Sequence, residues 1–499
     1  MAKQTGVRKS GLLMPVFSLP NKYGIGDFGS AADQFLSILT ACGFHSWQLL
    51  PLTPVGSGYS PYQSESAYAG NFMYISPEIL VEAGLVTPAE CLAAGYAGDS
   101  THVDYAWVRD RRTDLLQQAY SRIDASYRSE MAAYAERESD WLDDYAAFAV
   151  IRQQKNGKPW WGWDEKNLSL ADPEAVADFC RQHKQDVDYI RFLAYEFSRQ
   201  WHLLKEKANK HGIELIGDIP IYVAADSADV WANRRFFKIS EDQRLTHVAG
   251  VPPDYFSPDG QKWGNPLYDW HALKEDNYTW WIRRIQAGLK NFDCVRIDHF
   301  RGFERYFAIP SEAETAKEGQ WVQGPGHDLF NTIFRALPDA SIIAEDLGEI
   351  DDAVRRFLEQ TGLPGMNVLQ FSFDLYGSER DRPHRYLENS VAYSGTHDNT
   401  TLNGWLRDLD DQQRQLVTDY CGGADRKSLL RCLWQTHAER VIIPVQDCLG
   451  LGNDARINTP GTIGGNWCFR FTESQLDAID HDYFLRLNQL FGRFFISGD

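Results

Sequence analysis

The stretch CVRIDHF, residues 294–300, consists of a short apolar strand that runs directly into an aspartate and a histidine. Similar short apolar runs recur along the chain, and longer segments with a helical spacing of apolar residues separate them. Strands that alternate with helices in this way are typical of βα units built around a parallel sheet. Eight such runs can be counted, which is the number that a closed (β/α)8 barrel needs. We therefore predict an α/β fold, a TIM barrel, with strands at 11–16, 45–52, 214–221, Cys294–Ile297, 341–344, 367–371, 391–394 and 441–445.

The helical period is clearest in the segment that precedes the third strand. There Leu193, Phe197 and Trp201 recur every four residues. Gly212 follows at the position where a C′ glycine commonly ends a helix. On this pattern we predict helices over 30–42, 188–211 and 480–494.

Two stretches of the chain are too long to be single barrel connections. Residues 56–187 separate the second and third strands, and their charged middle has helical periodicity, so we predict a mainly helical insertion. Residues 224–275 carry Gly, Pro and aromatic residues and are predicted to form a second insertion or lid. After the eighth strand only about fifty residues remain, too few for a β-sandwich. We therefore predict one elaborated barrel domain over 1–499, with no separate C-terminal β domain.

Charge and composition exclude several classes of partner. The chain has 50 Lys+Arg against 69 Asp+Glu, a net charge of −19, which repels nucleic acids and anionic membrane surfaces. The eight cysteines include no C-x-x-C pair, which indicates reduced thiols in a cytosolic protein. The N-terminal segment lacks a signal-peptide pattern, and no apolar run reaches the roughly 18 residues of a membrane span. We expect a cytoplasmic protein that handles a neutral ligand, and the sequence leaves its oligomeric state open.

Acidic residues follow four of the predicted strands. Asp218, Asp298, Glu345 and Asp398 lie at or just after the ends of strands in different parts of the chain. Any one of them alone is more often a helix cap or a solvated loop acid. In a barrel, however, the carboxyl ends of the strands meet at one face, where active sites gather. The four acids together therefore predict an active site.

Several acids that converge in one pocket suit two kinds of chemistry. Carboxylates and histidines can bind a divalent metal ion. Alternatively, one carboxylate can attack the anomeric carbon of a sugar while a second protonates the leaving oxygen. The H-x-H pattern usual in metal-dependent barrel hydrolases is absent from the sequence. His299 and His397 each neighbour an acid instead, a spacing that suits hydrogen bonds to sugar hydroxyls.

Arg296 stands two residues before Asp298, so strand alternation directs both side chains to the same face. A cation beside a carboxylate keeps it ionised, as a nucleophile requires. The same pair could also be a structural ion pair of the barrel.

Long motifs along the chain match a known family. VRIDHFRGF (295–303), AEDLG (344–348) and SGTHDN (394–399) resemble motifs of the amylomaltase family, the 4-α-glucanotransferases, which are related to the α-amylase barrel enzymes. The resemblance spans nearly the whole chain, in matching order. It also includes SPYQSESAYAGN (60–71), GDIPIYVAADSADVW (217–231), GVPPDYFSPDGQKWGNPLYDW (250–270) and NTPGTIGGNW (458–467).

The resemblance implies a role for each matching residue. Asp298 corresponds to the nucleophile that forms a covalent glucosyl-enzyme, Glu345 to the general acid/base, and Asp398 to the third acid, which holds the 2- and 3-hydroxyls of the sugar. The family's retaining mechanism requires the first two carboxyl groups to lie about 5 Å apart. The segment 250–270 resembles the loop over the acceptor side. The implied substrate contacts are Tyr62, Asp218, Asp254, Tyr255, Trp263, Asn265, Arg296, His299, His397 and Asn466.

The expected activity is transfer of α-1,4-glucan segments between donor and acceptor glucans, among them maltooligosaccharides and glucose. No cofactor is expected. We also expect no metal, because the apolar stretch 219–223 has no counterpart of the calcium-associated histidine of the α-amylase relatives. The alternatives are an α-glucan hydrolase with the same carboxylates, a metal-dependent hydrolase, or a non-catalytic glucan-binding barrel.

Overall fold

The structure is a computed structural model, which describes residues 8–253, 257–348, 350–462 and 464–494. Within these residues the chain forms two sheets, one of eight parallel strands and one of four antiparallel strands. In chain order the strands are β1 Lys9–Leu13, β2 Ser46–Gln48, β3 Glu214–Ile219, β4 His247–Val251, β5 Gln261–Pro266, β6 Cys294–Ile297, β7 Arg305–Pro310, β8 Gln320–Gln323, β9 Ile342–Ala344, β10 Gly365–Val368, β11 Ser390–Tyr393 and β12 Arg440–Pro444.

The eight-stranded sheet is a nearly closed barrel. Its strand order is β10-β11-β12-β1-β2-β3-β6-β9. The two outer strands approach each other, since the Ala344 N–H donates to the Pro364 carbonyl at 2.9 Å. Each of the eight predicted strands overlaps one strand of this sheet, and the (β/α)8 prediction is confirmed. The register of β3 on β6 sets Asp218 opposite Arg296.

The predicted strand ends differ from the observed ones where proline intervenes. The strand predicted at 45–52 pairs over Ser46–Gln48 only, and Pro51 follows shortly after. The strand predicted at 11–16 begins at Lys9 and ends at Leu13, two residues before Pro15. Proline has no N–H to donate to a neighbouring strand, so regular pairing ends close to it.

Each of the three predicted helices overlaps an observed helix, although the observed ends differ by one or more residues. The helix predicted over 188–211 begins earlier, at Lys184, and Gly212 has the positive φ of 71° expected of a C′ glycine. In chain order the α-helices are α1 Ser30–Ala41, α2 Pro77–Glu82, α3 Pro88–Ala93, α4 Tyr105–Ser121, α5 Ala125–Arg137, α6 Ser139–Gln154, α7 Lys166–Ser169, α8 Pro173–Gln182, α9 Lys184–Lys210, α10 Ala228–Ala232, α11 Trp270–Glu275, α12 Thr279–Asn291, α13 His327–Ala336, α14 Asp352–Thr361, α15 Leu402–Asp408, α16 Asp411–Cys421, α17 Arg426–Gln435, α18 Val445–Leu449, α19 Glu473–Asp477 and α20 His481–Leu490.

The long stretch between β2 and β3 is helical, as its periodicity predicts. It contains α2 to α9, and α4, α5 and α6 all pack against α9. Its boundaries as an insertion, 56–187, stay a prediction. No helix within the described ranges is both long and apolar enough to cross a membrane.

The second sheet was not foreseen from the sequence. Its order is β5-β4-β7-β8, and all its pairs are antiparallel. The first two strands come from the predicted insertion at 224–275, whereas β7 and β8 follow β6. A small core of Val248, Phe307, Ile309, Ala313 and Ala316 lies on this sheet. The segment that follows Asp298 in the chain is therefore joined by hydrogen bonds to the predicted lid, whose boundaries stay a prediction.

Candidate active site

The carboxyl ends of four barrel strands carry the acidic side chains. Asp218 lies near the end of β3, Asp298 follows β6 directly, and Glu345 follows β9 directly. Asp398 lies in the turn after β11. Parallel pairing in the order β3-β6-β9 aligns the first three at one edge of the barrel. The predicted convergence of these acids is thus a direct consequence of strand order.

Arg296 joins two of the acids. Its Nη1 donates to both carboxylate oxygens of Asp218, at 2.7 and 2.6 Å, and its Nη2 donates to Oδ1 of Asp298 at 2.8 Å. Arg296 and Asp218 are buried, whereas the Asp298 side chain is 30% exposed. Burial raises the pKa of Asp218, and the charge of Arg296 opposes that rise. The guanidinium therefore forms a buried ion pair with Asp218 and also lies beside Asp298. Of these two carboxylates, Asp298 is the one that solvent can reach.

Glu345 is buried and held by main-chain N–H groups. The N–H of His299 donates to Oε2 at 2.6 Å and that of Leu347 to Oε1 at 2.7 Å. Burial, together with the negative charge of Asp298, raises the pKa of Glu345 to about 8. Glu345 is thus mostly protonated near neutral pH beside a more exposed carboxylate. Paired carboxyl groups in such different surroundings are suited to acid and nucleophile roles.

One of the two main-chain N–H groups that contact Glu345 comes from a residue in an unusual conformation. His299 has φ 52° and ψ 47°, the left-handed region that non-glycine residues seldom adopt and that is enriched at functional sites. Burial lowers the pKa of its imidazole to about 4, so the ring is neutral. Its Nε2 is buried, without a hydrogen-bond partner among the described residues. The Trp263 ring flanks the imidazole in an edge-to-face arrangement, with the two ring centroids 4.9 Å apart.

A second group of polar side chains connects Asp218 to Asp398. The Tyr62 hydroxyl donates to Oδ2 of Asp218 at 2.7 Å and lies 3.0 Å from Nε2 of His397. The Tyr62 and His397 rings stack, with centroids 5.4 Å apart. His397 Nε2 lies 3.4 Å from Oδ2 of Asp398. The turn that carries both residues is closed by Asn399, whose Oδ1 accepts hydrogen bonds from the N–H and hydroxyl of Thr396.

Two of the remaining predicted substrate contacts fall outside the described residues, and the others can be located in the structure. Asp254 and Tyr255 lie outside the described residues. Trp263 is half-buried next to His299. Asn265 is buried, and its amide bridges loops by accepting from Gln63 at 3.0 Å and donating to the Val223 carbonyl at 2.9 Å.

Asn466 likewise holds its own loop. Its Oδ1 accepts from the Thr459 N–H at 3.0 Å, and its Nδ2 donates to the carbonyl and hydroxyl of Thr462. Asn265 and Asn466 thus both stabilise loops through hydrogen bonds of their side-chain amides. Their predicted contacts with substrate stay predictions.

Sequence reasoning missed two residues that contact the third acid. Nδ2 of Asn458 donates to Oδ1 of Asp398 at 2.6 Å, and Nη2 of Arg456 donates to the Asp398 carbonyl at 2.5 Å. Asn458 begins the motif NTPGTIGGNW, but its contact joins parts of the chain 60 residues apart. No local pattern reports such a distant pairing.

No cluster of three or more His, Cys, Asp or Glu side chains positioned to hold a metal ion is found in the described part of the chain.

Comparison with known proteins gives consistent matches. A family model described as 4-alpha-glucanotransferase matches residues 14–476. The chain is 40% identical to the 4-alpha-glucanotransferase of Streptococcus pneumoniae serotype 4 over 492 residues, 97% of each chain. It is 40% identical to that of Thermus thermophilus over 484 residues, 94% of this chain and 96% of the relative. The amylomaltase from Streptococcus agalactiae, solved in complex with acarbose, superimposes with a TM-score of 0.95 at 38% identity, covering 98% of this chain and 100% of the other.

Proposed function

This chain belongs to the 4-alpha-glucanotransferase family, and we propose that it transfers α-1,4-glucan segments by a retaining double displacement through a covalent glucosyl-enzyme. The enzyme class is that of its relatives, and the mechanism is our proposal. The observation that carries it is the contrast between two neighbouring carboxyl groups. Glu345 is buried with a pKa raised to about 8, whereas Asp298 is partly exposed with Arg296 at 2.8 Å.

In the first step Glu345 acts as general acid. It gives its proton to the glycosidic oxygen while a carboxylate oxygen of Asp298 attacks the anomeric carbon. The bond to the leaving glucan breaks, its oxygen keeps the proton, and the remaining segment is bound covalently to Asp298. Burial supports this role of Glu345, because it keeps the group protonated at the pH at which the acid is needed.

In the second step Glu345 acts as general base. Now ionised, it takes the proton of the 4-hydroxyl of an acceptor glucan, whose oxygen attacks the anomeric carbon and displaces Asp298. Two inversions at the same carbon retain the α configuration. Asp398 is proposed to hold the 2- and 3-hydroxyls of the sugar. Tyr62, His299 and His397 supply a stacking ring and polar groups around it, as sugars require.

The proposed substrates are maltooligosaccharides as donors and maltooligosaccharides or glucose as acceptors. The amylomaltase from Streptococcus agalactiae was solved in complex with acarbose, and we propose acarbose as a ligand to test here. We also propose a cytoplasmic location. The eight cysteines are free thiols, which fits a reducing compartment.

Hydrolysis is the competing outcome of the second step, since water could replace the acceptor hydroxyl. Incubation with maltotriose separates the two outcomes. We expect glucose together with a ladder of longer maltooligosaccharides in the chromatogram. Rising reducing ends without a ladder would establish a hydrolase instead, and binding of maltotriose without any product would establish a non-catalytic barrel.

The nucleophile is tested by Asp298→Asn, which we expect to lower turnover by several orders of magnitude, as loss of a nucleophile does. Asp293→Asn is the matched control. Asp293 lies at the opposite end of the same strand, where it accepts from the Leu215 N–H at 2.8 Å. Turnover near the wild-type value in Asp298→Asn, or equal losses in both variants, would refute the assignment.

A further inference from the structure

The segment 456–458 clamps the turn that carries the third acid. The Asn458 N–H donates to the His397 carbonyl at 3.1 Å, and the Asn458 side chain donates to Asp398 Oδ1 at 2.6 Å. Arg456 adds a hydrogen bond from Nη2 to the Asp398 carbonyl at 2.5 Å. A carboxylate only accepts hydrogen bonds, so the amide nitrogen of Asn458 must be the atom that contacts it. The main chain of Asn458 is thus hydrogen-bonded to His397, and its side chain to the next residue, Asp398.

The other oxygen of Asp398 has a weaker partner. His397 Nε2 lies 3.4 Å from Oδ2 but only 3.0 Å from the Tyr62 oxygen. The single hydroxyl proton of Tyr62 is given to Asp218 at 2.7 Å, so the Tyr62 oxygen is free to accept from His397. The Nε2 proton is thereby directed to Tyr62. Within the described part of the chain, Asn458 gives the Asp398 carboxylate its one side-chain hydrogen bond shorter than 3 Å.

Asn458 is itself braced on both sides. Its carbonyl accepts from Arg456 Nε at 2.7 Å, and the preceding carbonyl, that of Ile457, accepts from the Trp467 N–H at 2.7 Å. The following N–H, that of Thr459, is held by Asn466 at 3.0 Å. A donor fixed before substrate arrives loses little freedom on binding, which is what preorganised sites require.

We propose that Asn458 is a positioning residue for the glucan transfer reaction: it fixes one oxygen of Asp398 so that the other is presented to the sugar hydroxyls. This inference rests on the proposed role of Asp398. Hydrogen bonds to these hydroxyls strengthen as the ring distorts toward the transition state. A misaligned Asp398 should therefore reduce kcat more than it raises KM.

The first test is Asn458→Ala, with kcat and KM for maltotriose disproportionation measured beside thermal unfolding. We expect kcat to fall about 10- to 100-fold, the range for a lost hydrogen bond to a charged group, with KM within about threefold. Asn389→Ala is the matched control, because Asn389 is an exposed asparagine that donates to the Gly362 carbonyl at 3.1 Å, at the end of β11 opposite to Asp398. Equal loss of kcat in both variants, or kcat within about twofold of wild type in Asn458→Ala, would overturn the proposal.

The second test is Asn458→Asp, which keeps the shape but replaces the donor with an acceptor. Two carboxylates then face each other across a distance that requires a shared proton. The variant should therefore recover activity relative to wild type as the pH falls from 8 to 5, because the shared proton restores a hydrogen bond. A loss of the same factor at every pH would mean that the residue only supports the fold.

The double variant separates this proposal from the role of Asp398 itself. If Asn458 acts through Asp398, adding Asn458→Ala to Asp398→Asn lowers kcat by less than about threefold further. A full additional loss of 10-fold or more would overturn the positioning role. Wild-type turnover in Asp398→Asn alone would instead refute the proposed function of that acid.

Discussion

Replacing Glu345 with glutamine should make the folded protein more stable at alkaline pH while abolishing its acid catalysis. Burial and the charge of Asp298 raise the pKa of Glu345 from the ordinary 4.5 to about 8. Glutamine carries no charge, as the protonated acid does, but its amide keeps only one of the two oxygens that accept from the N–H groups of His299 and Leu347. The variant therefore loses one main-chain hydrogen bond at every pH, a pH-independent cost of roughly 1–3 kcal/mol. It also removes the pH-dependent cost of ionising a buried group.

The size and the pH range of this stability difference follow from the raised pKa of Glu345. Below pH 4.5 the carboxyl group is protonated in both the folded and the unfolded chain, so wild type and variant should respond alike to pH. Between 4.5 and about 8 the unfolded chain is ionised while the folded chain keeps its proton, so wild-type stability falls as pH rises. At about 1.4 kcal/mol for each pKa unit, the relative gain of the variant reaches about 5 kcal/mol at pH 8 and then levels off.

The measurement is the difference in thermal unfolding temperature between Glu345→Gln and wild type from pH 5 to pH 9. We expect this difference to grow in favour of the variant up to about pH 8. Glu359→Gln is the matched control, since Glu359 is an exposed residue of α14 and should show no such trend. A difference that stays constant across the range would contradict the claim that Glu345 is buried in its protonated form.

Three further predictions concern activity at the site. The rate of maltotriose disproportionation should fall about tenfold for each pH unit above 8 as Glu345 loses its proton, which a pH profile of kcat measures; a profile flat to pH 10 would contradict this. Arg296→Met should lower kcat/KM about 100-fold or more and destabilise the fold by about 3–5 kcal/mol, because the buried carboxylate of Asp218 loses its ion-pair partner. An unfolding temperature equal to that of wild type would contradict the predicted loss of stability. Trp263→Ala should raise KM for maltotriose about tenfold through lost aromatic contact, whereas the exposed Trp161→Ala should not; equal KM values in both would refute a role in binding.

The barrel could be predicted because its signals are local. Each strand is a short apolar run, and the helices between them show their period within a few turns, as Leu193, Phe197 and Trp201 do. The second sheet could not be predicted, because β4 pairs with β7 across a stretch that contains β5, two α-helices and the barrel strand β6. Non-local pairing of short strands leaves little trace in the sequence of either partner.

In the candidate site, too, some residues could be predicted from the sequence and others could not. Asp298 and Glu345 were recognisable from their positions at strand ends and from family motifs. Asn458, by contrast, is an ordinary polar loop residue until the fold brings it within 2.6 Å of Asp398. The hydrogen bonds of Asn265 to two other loops were equally invisible in the sequence, and its predicted contact with substrate stays a prediction.

The sequence by itself determined which residues stand at the ends of barrel strands. Parallel strands in a barrel present all their carboxyl ends at one face, so the order of short strands along the chain was sufficient to gather the acids. Only the tertiary structure decided how each acid behaves. The protonation of Glu345, the ion pairs of Arg296 and the grip of Asn458 depend on desolvation and on distances between remote segments, and both quantities exist only once the chain has folded.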